Sequence, residues 1–303
     1  MVTKKGTPHK ISPRLEAELA INQITPTENE NYATVLHCVN PGDLIAAMGA
    51  LKRYYDVTKT KVKIYQSLTQ PGAYYGGAVH PTVNERGEMV CCNQPMFDML
   101  KPLVESQEYI HSMEVYDGQK IDLDFNAIRG KTFVNLPHGA LQNWIPLCIH
   151  DLQFDLSKTW ININGKCPPS IKKQVSKKII LNFTERYRNQ TTDYFFLKNY
   201  APDLIFAGTE KEHFLFCSRW NLTIPKLEVK NFLELAHAIK ECRFILCNQS
   251  MCFNISFAMH TPHILEICSY AQNCIHGIGE HSYGFLLQMG AEYNFRRLYN
   301  ITA

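Results

Sequence analysis

The sequence carries the same pattern once in each half: an apolar run of strand length ends in a short polar turn, and helical spacing follows. In the first half, the run at 34–39 leads into Asn40-Pro41-Gly42-Asp43 and a helical stretch to about position 54. In the second half, the run at 243–247 leads into Asn248-Gln249-Ser250 and another helical stretch. Alternating strands and helices form parallel sheets, which bind ligands beyond the carboxyl ends of their strands. We therefore expect an α/β protein with two doubly wound sheets that face one crevice.

Hydrophobic spacing predicts the other elements. In the first half it indicates strands at 61–65, 113–116 and 132–136 and a helix at 97–104. In the second half it indicates strands at 178–183, 204–207 and 263–267 and helices at 195–199, 214–220, 232–239, 251–259 and 283–299.

Changes in composition predict the domain organisation. Residues 1–32 are polar and lack periodicity, which is typical of an irregular N-terminal arm. The segment 162–169 has the polar, Gly/Pro-rich composition of a linker. The prediction is therefore one Rossmann-like domain at 33–165 and a second at 166–303.

Composition narrows the class of protein. Of 303 residues, 45% are hydrophobic and 19% charged, and the net charge is +3, so nothing demands a nucleic-acid partner. The chain has no apolar run of transmembrane length, and its first residues lack the apolar core of a secretory signal. We expect a cytoplasmic protein in which most of the eleven cysteines are reduced. No Cys-x-x-Cys pair indicates zinc, and we expect a site without metal.

The run from Asn40 to Leu51, with its Gly42-Asp43 pair, resembles the first βα loop of the heptosyltransferase-like glycosyltransferases of family 9. Three more motifs follow in the same order as in the family: Asn182 to Asn189, Gly208-Thr209-Glu210, and Asn248-Gln249-Ser250 before a helix. The resemblance implies the GT-B fold, in which two Rossmann-like domains face a cleft. It also implies an enzyme that moves a sugar from a nucleotide sugar to an acceptor hydroxyl, without a cofactor.

In that family the aspartate of the first loop is proposed to take a proton from the acceptor, a role that falls to Asp43. An inverting transfer needs a carboxylate beside the attacking oxygen, opposite the leaving phosphate. The alternative is that Asp43 only caps the following helix, because aspartate is a favoured N-cap residue.

A nucleotide-sugar reaction releases a diphosphate, whose charge needs hydrogen-bond donors or cations. The resemblance places these in the second half, together with Gly42 of the first loop; the candidates are Gly42, Thr184, Arg186, Arg188, Asn189, Glu210, Asn248, Gln249, Ser250 and Glu266. For the loop residues the alternative is a solvated surface, and for Glu210 a favourable charge at a helix start. The family's usual Asp-Thr-Gly is Asn248-Gln249-Ser250 here, so the donor need not be an ADP-sugar.

Tyr74, Tyr75 and His138 are candidate acceptor contacts in the first half, because loop aromatics can stack on a sugar ring; they can equally cover a core. The acceptor is expected to be a carbohydrate. Two alternatives remain open: a phage-type enzyme that glycosylates a modified base in DNA, and a silent nucleotide-binding protein that kept the fold and lost the chemistry.

Overall fold

The computed structural model describes residues 31–72, 82–126, 157–270 and 279–302. Tyr74, Tyr75, His138 and the strand predicted at 132–136 lie outside these residues. Within these four ranges, no helix combines the length and hydropathy that a bilayer crossing requires.

The first sheet holds four parallel strands in the order β3-β2-β1-β4. Its strands are β1 (Tyr32–His37), β2 (Lys61–Gln66), β3 (Ile110–Val115) and β4 (Leu123–Asp124), and its helices are α1 (Pro41–Thr58) and α2 (Gln94–Glu105). Pro41 suits the first position of α1 because its φ is already helical. Ala46, Ala47 and Ala50 lie on the buried face of α1, where small side chains allow close packing.

The second sheet holds five parallel strands in the order β6-β5-β7-β8-β9. Its strands are β5 (Ile179–Asn182), β6 (Leu204–Phe206), β7 (Phe244–Asn248), β8 (His263–Glu266) and β9 (Ser282–Phe285). The helices of this half are α3 (Pro169–Val175), a 3₁₀ helix (Phe195–Asp203), α4 (Glu210–Trp220), α5 (Phe232–Glu241), α6 (Met251–Met259) and α7 (Gln288–Ile301). The central strands β5 and β7 are buried along their whole length, as expected of strands covered on both faces.

The end of the chain differs from the prediction of one helix over 283–299. Residues Ser282–Phe285 form β9, and the helix begins only at Gln288. Strand β9 has only four residues, and although Tyr283 and Phe285 favour strands, Gly284 between them does not, so the local sequence gives only a weak strand signal. Parallel pairing with β8, from His263 opposite Ser282 to Glu266 opposite Phe285, establishes these residues as a strand.

One hydrophobic core cluster spans the two sheets, and a second lies within the second half. Helix α1 packs against α6, α2 packs against α5, and one buried cluster contains side chains from both halves. Trp160 links α1 to α6 by hydrogen bonds. Its indole Nε1 donates to the carbonyl of Ile45 in α1 at 2.7 Å, and its backbone N–H donates to the carbonyl of Ala258 in α6 at 3.0 Å. The relative position of α1 and α6 is therefore held by hydrogen bonds as well as by apolar packing.

The nine cysteines among the described residues form no disulfide with one another. Burial raises the pKa of Cys92 to about 12, and burial also raises the pKa of Cys252. Because the folded-state pKa lies above the value in the unfolded chain, these groups add stability below the unfolded value. That contribution is lost as the pH rises toward the folded value.

We expect Cys92 and Cys252 to resist iodoacetamide in the native protein at pH 8, because alkylation requires an accessible thiolate. Mass-spectrometric mapping should find both thiols unmodified before denaturation and modified after it. Native labelling of Cys92 as fast as that of an unfolded control would contradict its burial.

Candidate functional site

The predicted site motifs lie at the points where the strand order of each sheet reverses direction. From β1 the first sheet extends to β2 on one side and to β4 on the other; from β5 the second extends to β6 and to β7. Ligands of open parallel sheets bind beyond the carboxyl ends of the strands at such points. The turn at 40–43 follows β1, the loop at 183–189 follows β5, and the turn at 249–250 follows β7.

Asp43 lies in the first turn of α1 but not at its N-cap position. Asn40 occupies the N-cap position, and Pro41, Gly42 and Asp43 are the first three helical residues. Asp43 is therefore the third residue of the helix and not its N-cap, and its negative charge interacts favourably with the helix start. The side chain is half-buried.

The first turns of α1 and α6 meet. A Cβ atom placed on Gly42 would lie 3.0 Å from Asn254 Nδ2 and 3.8 Å from the Cα of Met251. A larger residue at position 42 would therefore push against α6. The two polar turns predicted from sequence, one in each half, are brought together at this contact.

In the second sheet, Asn248 holds the loop after β5. Its Oδ1 accepts a hydrogen bond from the Thr184 N–H at 3.2 Å, and its Nδ2 donates to the carbonyls of Thr184 at 3.0 Å and Arg186 at 2.6 Å. The side chain is fully buried. A carboxylate could not donate to those carbonyls, which explains why asparagine suits this position.

Replacing Asn248 with aspartate should lower the free energy of unfolding by about 1–3 kcal/mol, because two buried carbonyls lose their donor. Chemical denaturation of Asn248→Asp measures this. Asn231→Asp is a matched control, because Asn231 only accepts a hydrogen bond, from the N–H of Glu234, and an aspartate can do the same. Equal stability of the two variants would contradict the role of the Asn248 amide.

Arg186 and Arg188 lie in different environments. Tyr187 between them has φ of 53°, in the left-handed region that a bulky residue rarely adopts. Arg186 is half-buried, with its guanidinium 5.5 Å from the centre of the Tyr187 ring. Arg188 is only 4% exposed, and its guanidinium lies 4.8 Å from the Phe183 ring.

Glu266 was expected to point into the crevice, but it is fully buried beneath the loop. It accepts hydrogen bonds from Arg188 Nε at 3.1 Å, from the Asn189 N–H at 2.5 Å and from the Tyr194 hydroxyl. Burial, and then the charge of Glu266, raises the pKa of Tyr194, which keeps this hydroxyl a donor. Arg188 and Glu266 thus hold the loop from below.

Other predicted donor contacts are also engaged within the second half. Asn189 Nδ2 donates to the Leu286 carbonyl at 2.5 Å, and Gln249 Oε1 accepts from the Cys268 N–H at 2.7 Å. Glu210 is exposed at the start of α4 and lies 3.0 Å from Lys226 Nζ. Thr209 before it caps α4 reciprocally with Glu212.

Five described α-helices have Asn, Ser or Thr at the N-cap, and they differ in how that side chain is used. At α2, α4 and α5 the side chain accepts a hydrogen bond from the first turn of its own helix. At α1 and α6 it makes no such bond, and the Ser250 hydroxyl donates instead to Asn182 Oδ1. The first-turn N–H groups of α1 and α6 are thus left to interact with other groups, and such N–H groups attract anions.

The sequence contains one Asp-x-Asp triplet, Asp122-Leu123-Asp124, which the expectation of a site without metal did not take into account. Asp122 Oδ2 accepts from the N–H and hydroxyl of Thr34 at 2.8 and 2.9 Å, and Asp124 Oδ1 accepts from the Asn126 N–H at 2.8 Å. Both carboxylates therefore help to hold β4 and the turn after it. In the part of the chain that the structure describes, no three His, Cys, Asp or Glu side chains group as metal ligands would.

Sequence reasoning missed Asn254 as a member of the junction. Its signal was a polar residue inside the apolar helical run from Met251 to Met259. Asn182 was predicted only as the first residue of a motif. Its side chain accepts a hydrogen bond from the Ser250 hydroxyl and donates one to the Ala207 carbonyl, and so links β5 to both segments.

No protein-family model and no curated protein matches this sequence. Among solved structures, the chain is similar to E. coli heptosyltransferase WaaC with ADP, with a TM-score of 0.59 and 8% identity over 90% of this chain and 100% of that one. WaaC with ADP-2-deoxy-2-fluoro heptose gives a TM-score of 0.58 at the same identity and coverage. E. coli ADP-heptose lps heptosyltransferase II matches more loosely, with a TM-score of 0.48 at 11% identity over 89% of this chain and 99% of that one. The predicted architecture of two parallel α/β sheets, and its resemblance to heptosyltransferases, is confirmed at the level of the fold.

Proposed function

We propose that this protein is an inverting, metal-independent glycosyltransferase that moves a sugar from a nucleotide sugar to an acceptor hydroxyl. The observation that carries the proposal is the contact between the first turns of α1 and α6, because it brings a carboxylate-bearing turn next to an anion-attracting helix start. The shared fold supports it, since the similar WaaC structures hold ADP and an ADP-heptose analogue.

The second half is proposed to hold the donor. The start of α6 after Asn248-Gln249-Ser250 supplies backbone N–H groups to the diphosphate, and Thr184 and Arg186 contact it from the loop after β5. Gly42 lets the first half approach this site closely. Arg188, Asn189 and Glu266 act beneath the loop by holding its shape, and Glu210 is a proposed contact to the nucleoside or sugar.

The first half is proposed to bind the acceptor. The acceptor oxygen attacks the anomeric carbon while Asp43 takes the hydroxyl proton, and the carbon–oxygen bond to phosphate breaks with its electron pair leaving on the nucleoside diphosphate. Direct displacement inverts the anomeric configuration. Tyr74, Tyr75 and His138 remain proposed acceptor contacts. We place the reaction in the cytoplasm, a reducing compartment in which buried thiols such as those of Cys92 and Cys252 stay reduced.

Thermal-shift titration with UDP-, ADP-, GDP- and CMP-sugars tests the donor site, followed by an assay for release of the nucleotide. We expect one nucleotide series to raise the melting temperature, because a ligand that binds only the folded state stabilises it. Stabilisation without turnover under any acceptor would support the silent nucleotide-binding protein instead. No stabilisation by any nucleotide would contradict the proposal. A DNA acceptor would show itself by affinity for duplex DNA that falls steeply with salt.

Chelation tests the metal-independent mechanism. Because helix starts and Arg186 are proposed to balance the diphosphate charge, excess EDTA should leave the rate of nucleotide release unchanged within about twofold. An EDTA-inhibited rate that Mg²⁺ or Mn²⁺ restores would show that a cation does this work.

A further inference from the structure

The side-chain amide of Asn254, in the second turn of α6, is buried, and only one of its two polar atoms makes a hydrogen bond. It is 5% exposed. Its Nδ2 donates to the Ser250 carbonyl at 3.1 Å, but its Oδ1 has no hydrogen-bond partner among the described residues. Turning the amide over would set two oxygens against each other, so the hydrogen bond to Ser250 fixes Oδ1 as the open acceptor.

The position of this amide connects it to the proposed reaction. Its Nδ2 lies 3.0 Å from the point where a Cβ of Gly42 would be, and the next residue in the chain is Asp43. In the proposed function, the diphosphate lies at the start of α6 and Asp43 lies on the acceptor side. The transferred sugar then lies beside the junction of α1 and α6, next to Asn254.

We propose that Asn254 Oδ1 accepts a hydrogen bond from a hydroxyl of the transferred sugar and so helps to select the donor by its sugar. A buried acceptor without a partner is costly, and a ligand hydroxyl removes that cost when it binds. A site built around an unsatisfied polar group also rejects ligands that lack the complementary hydroxyl. This inference rests on the proposed function, and it assigns to Asn254 the sugar and not the nucleotide.

The test compares each nucleotide sugar with the nucleoside diphosphate of the same base, by calorimetric titration of ADP-glucose against ADP and UDP-glucose against UDP. The series found by the thermal-shift panel is used if it differs. Asn254→Ala should weaken binding of the sugar-bearing ligand about tenfold and leave binding of the free diphosphate within about twofold. Ser256→Ala is the matched control, because Ser256 is buried on the same helix and bonds Thr261 instead.

The outcomes separate this inference from the proposed function. Wild-type protein that binds no nucleotide contradicts both. Normal wild-type binding with an equal loss for both ligands in Asn254→Ala, or with no loss for either, overturns the inference alone. If Asn254→Ala does not fold, Asn254→Ser serves instead. Its shorter side chain cannot place an oxygen where Oδ1 lies, so we expect the same selective loss, and the same two outcomes would overturn the inference.

Discussion

Replacing Asp43 with asparagine should reduce nucleotide-sugar turnover by about 10²- to 10⁴-fold, the range that a positioned general base contributes. The amide has nearly the shape of the carboxylate but cannot take the acceptor proton. Binding of the donor should persist, because the proposed diphosphate contacts belong to the second half. The measurement is the rate of nucleotide release at saturating donor, together with the donor dissociation constant by calorimetry.

The control for this variant is Asp56→Asn, near the other end of the same helix. Asp56 is half-buried and pairs with Lys52 at 2.6 Å, so this variant also removes a carboxylate from α1 but leaves the junction unchanged. Loss of the Asp43 charge at the helix start costs about 0.3–1 kcal/mol, which leaves the protein folded under assay conditions. Turnover in Asp43→Asn that stays within threefold of wild type would exclude this residue as the base.

Strands and helices could be predicted from the sequence wherever apolar runs are long and end in polar turns. The strands before Asn40 and before Gln249, and helix α6 between Met251 and Met259, were predicted nearly to the residue. The two-residue strand β4 and the four-residue strand β9 were not predicted, because both are too short for an alternating pattern to stand out, and pairing with β1 and β8 establishes them as strands.

For the candidate site, too, one part could be predicted from the sequence and another could not. Its location could be predicted, because a polar turn after a buried strand marks the binding edge of a parallel sheet. The roles of individual side chains could not. The sequence pattern does not distinguish Arg186 from Arg188. In the structure, the left-handed backbone at Tyr187 lies between them, and Arg186 is half-buried whereas Arg188 is buried. The Gly42 to Asn254 contact joins residues more than two hundred positions apart, which no local pattern records.

The Arg188–Glu266 pair provides the second large effect. Glu266→Gln should lower the free energy of unfolding by about 3–5 kcal/mol, because it leaves the Arg188 guanidinium buried without its counter-charge. Both side chains are at least 95% buried, so water cannot replace the lost partner. Urea denaturation followed by circular dichroism measures the loss.

Two further variants separate the ion pair from a general intolerance of change. Glu185→Gln removes an exposed carboxylate 4.0 Å from the same guanidinium and should cost less than about 1 kcal/mol, as surface pairs do. Adding Arg188→Met to Glu266→Gln should recover part of the stability, since the unpaired charge is then gone and the methionine can pack against Phe183. A Glu266→Gln cost no larger than that of Glu185→Gln would mean that the loop bearing Thr184 and Arg186 is held by its other contacts, above all by the Asn248 amide.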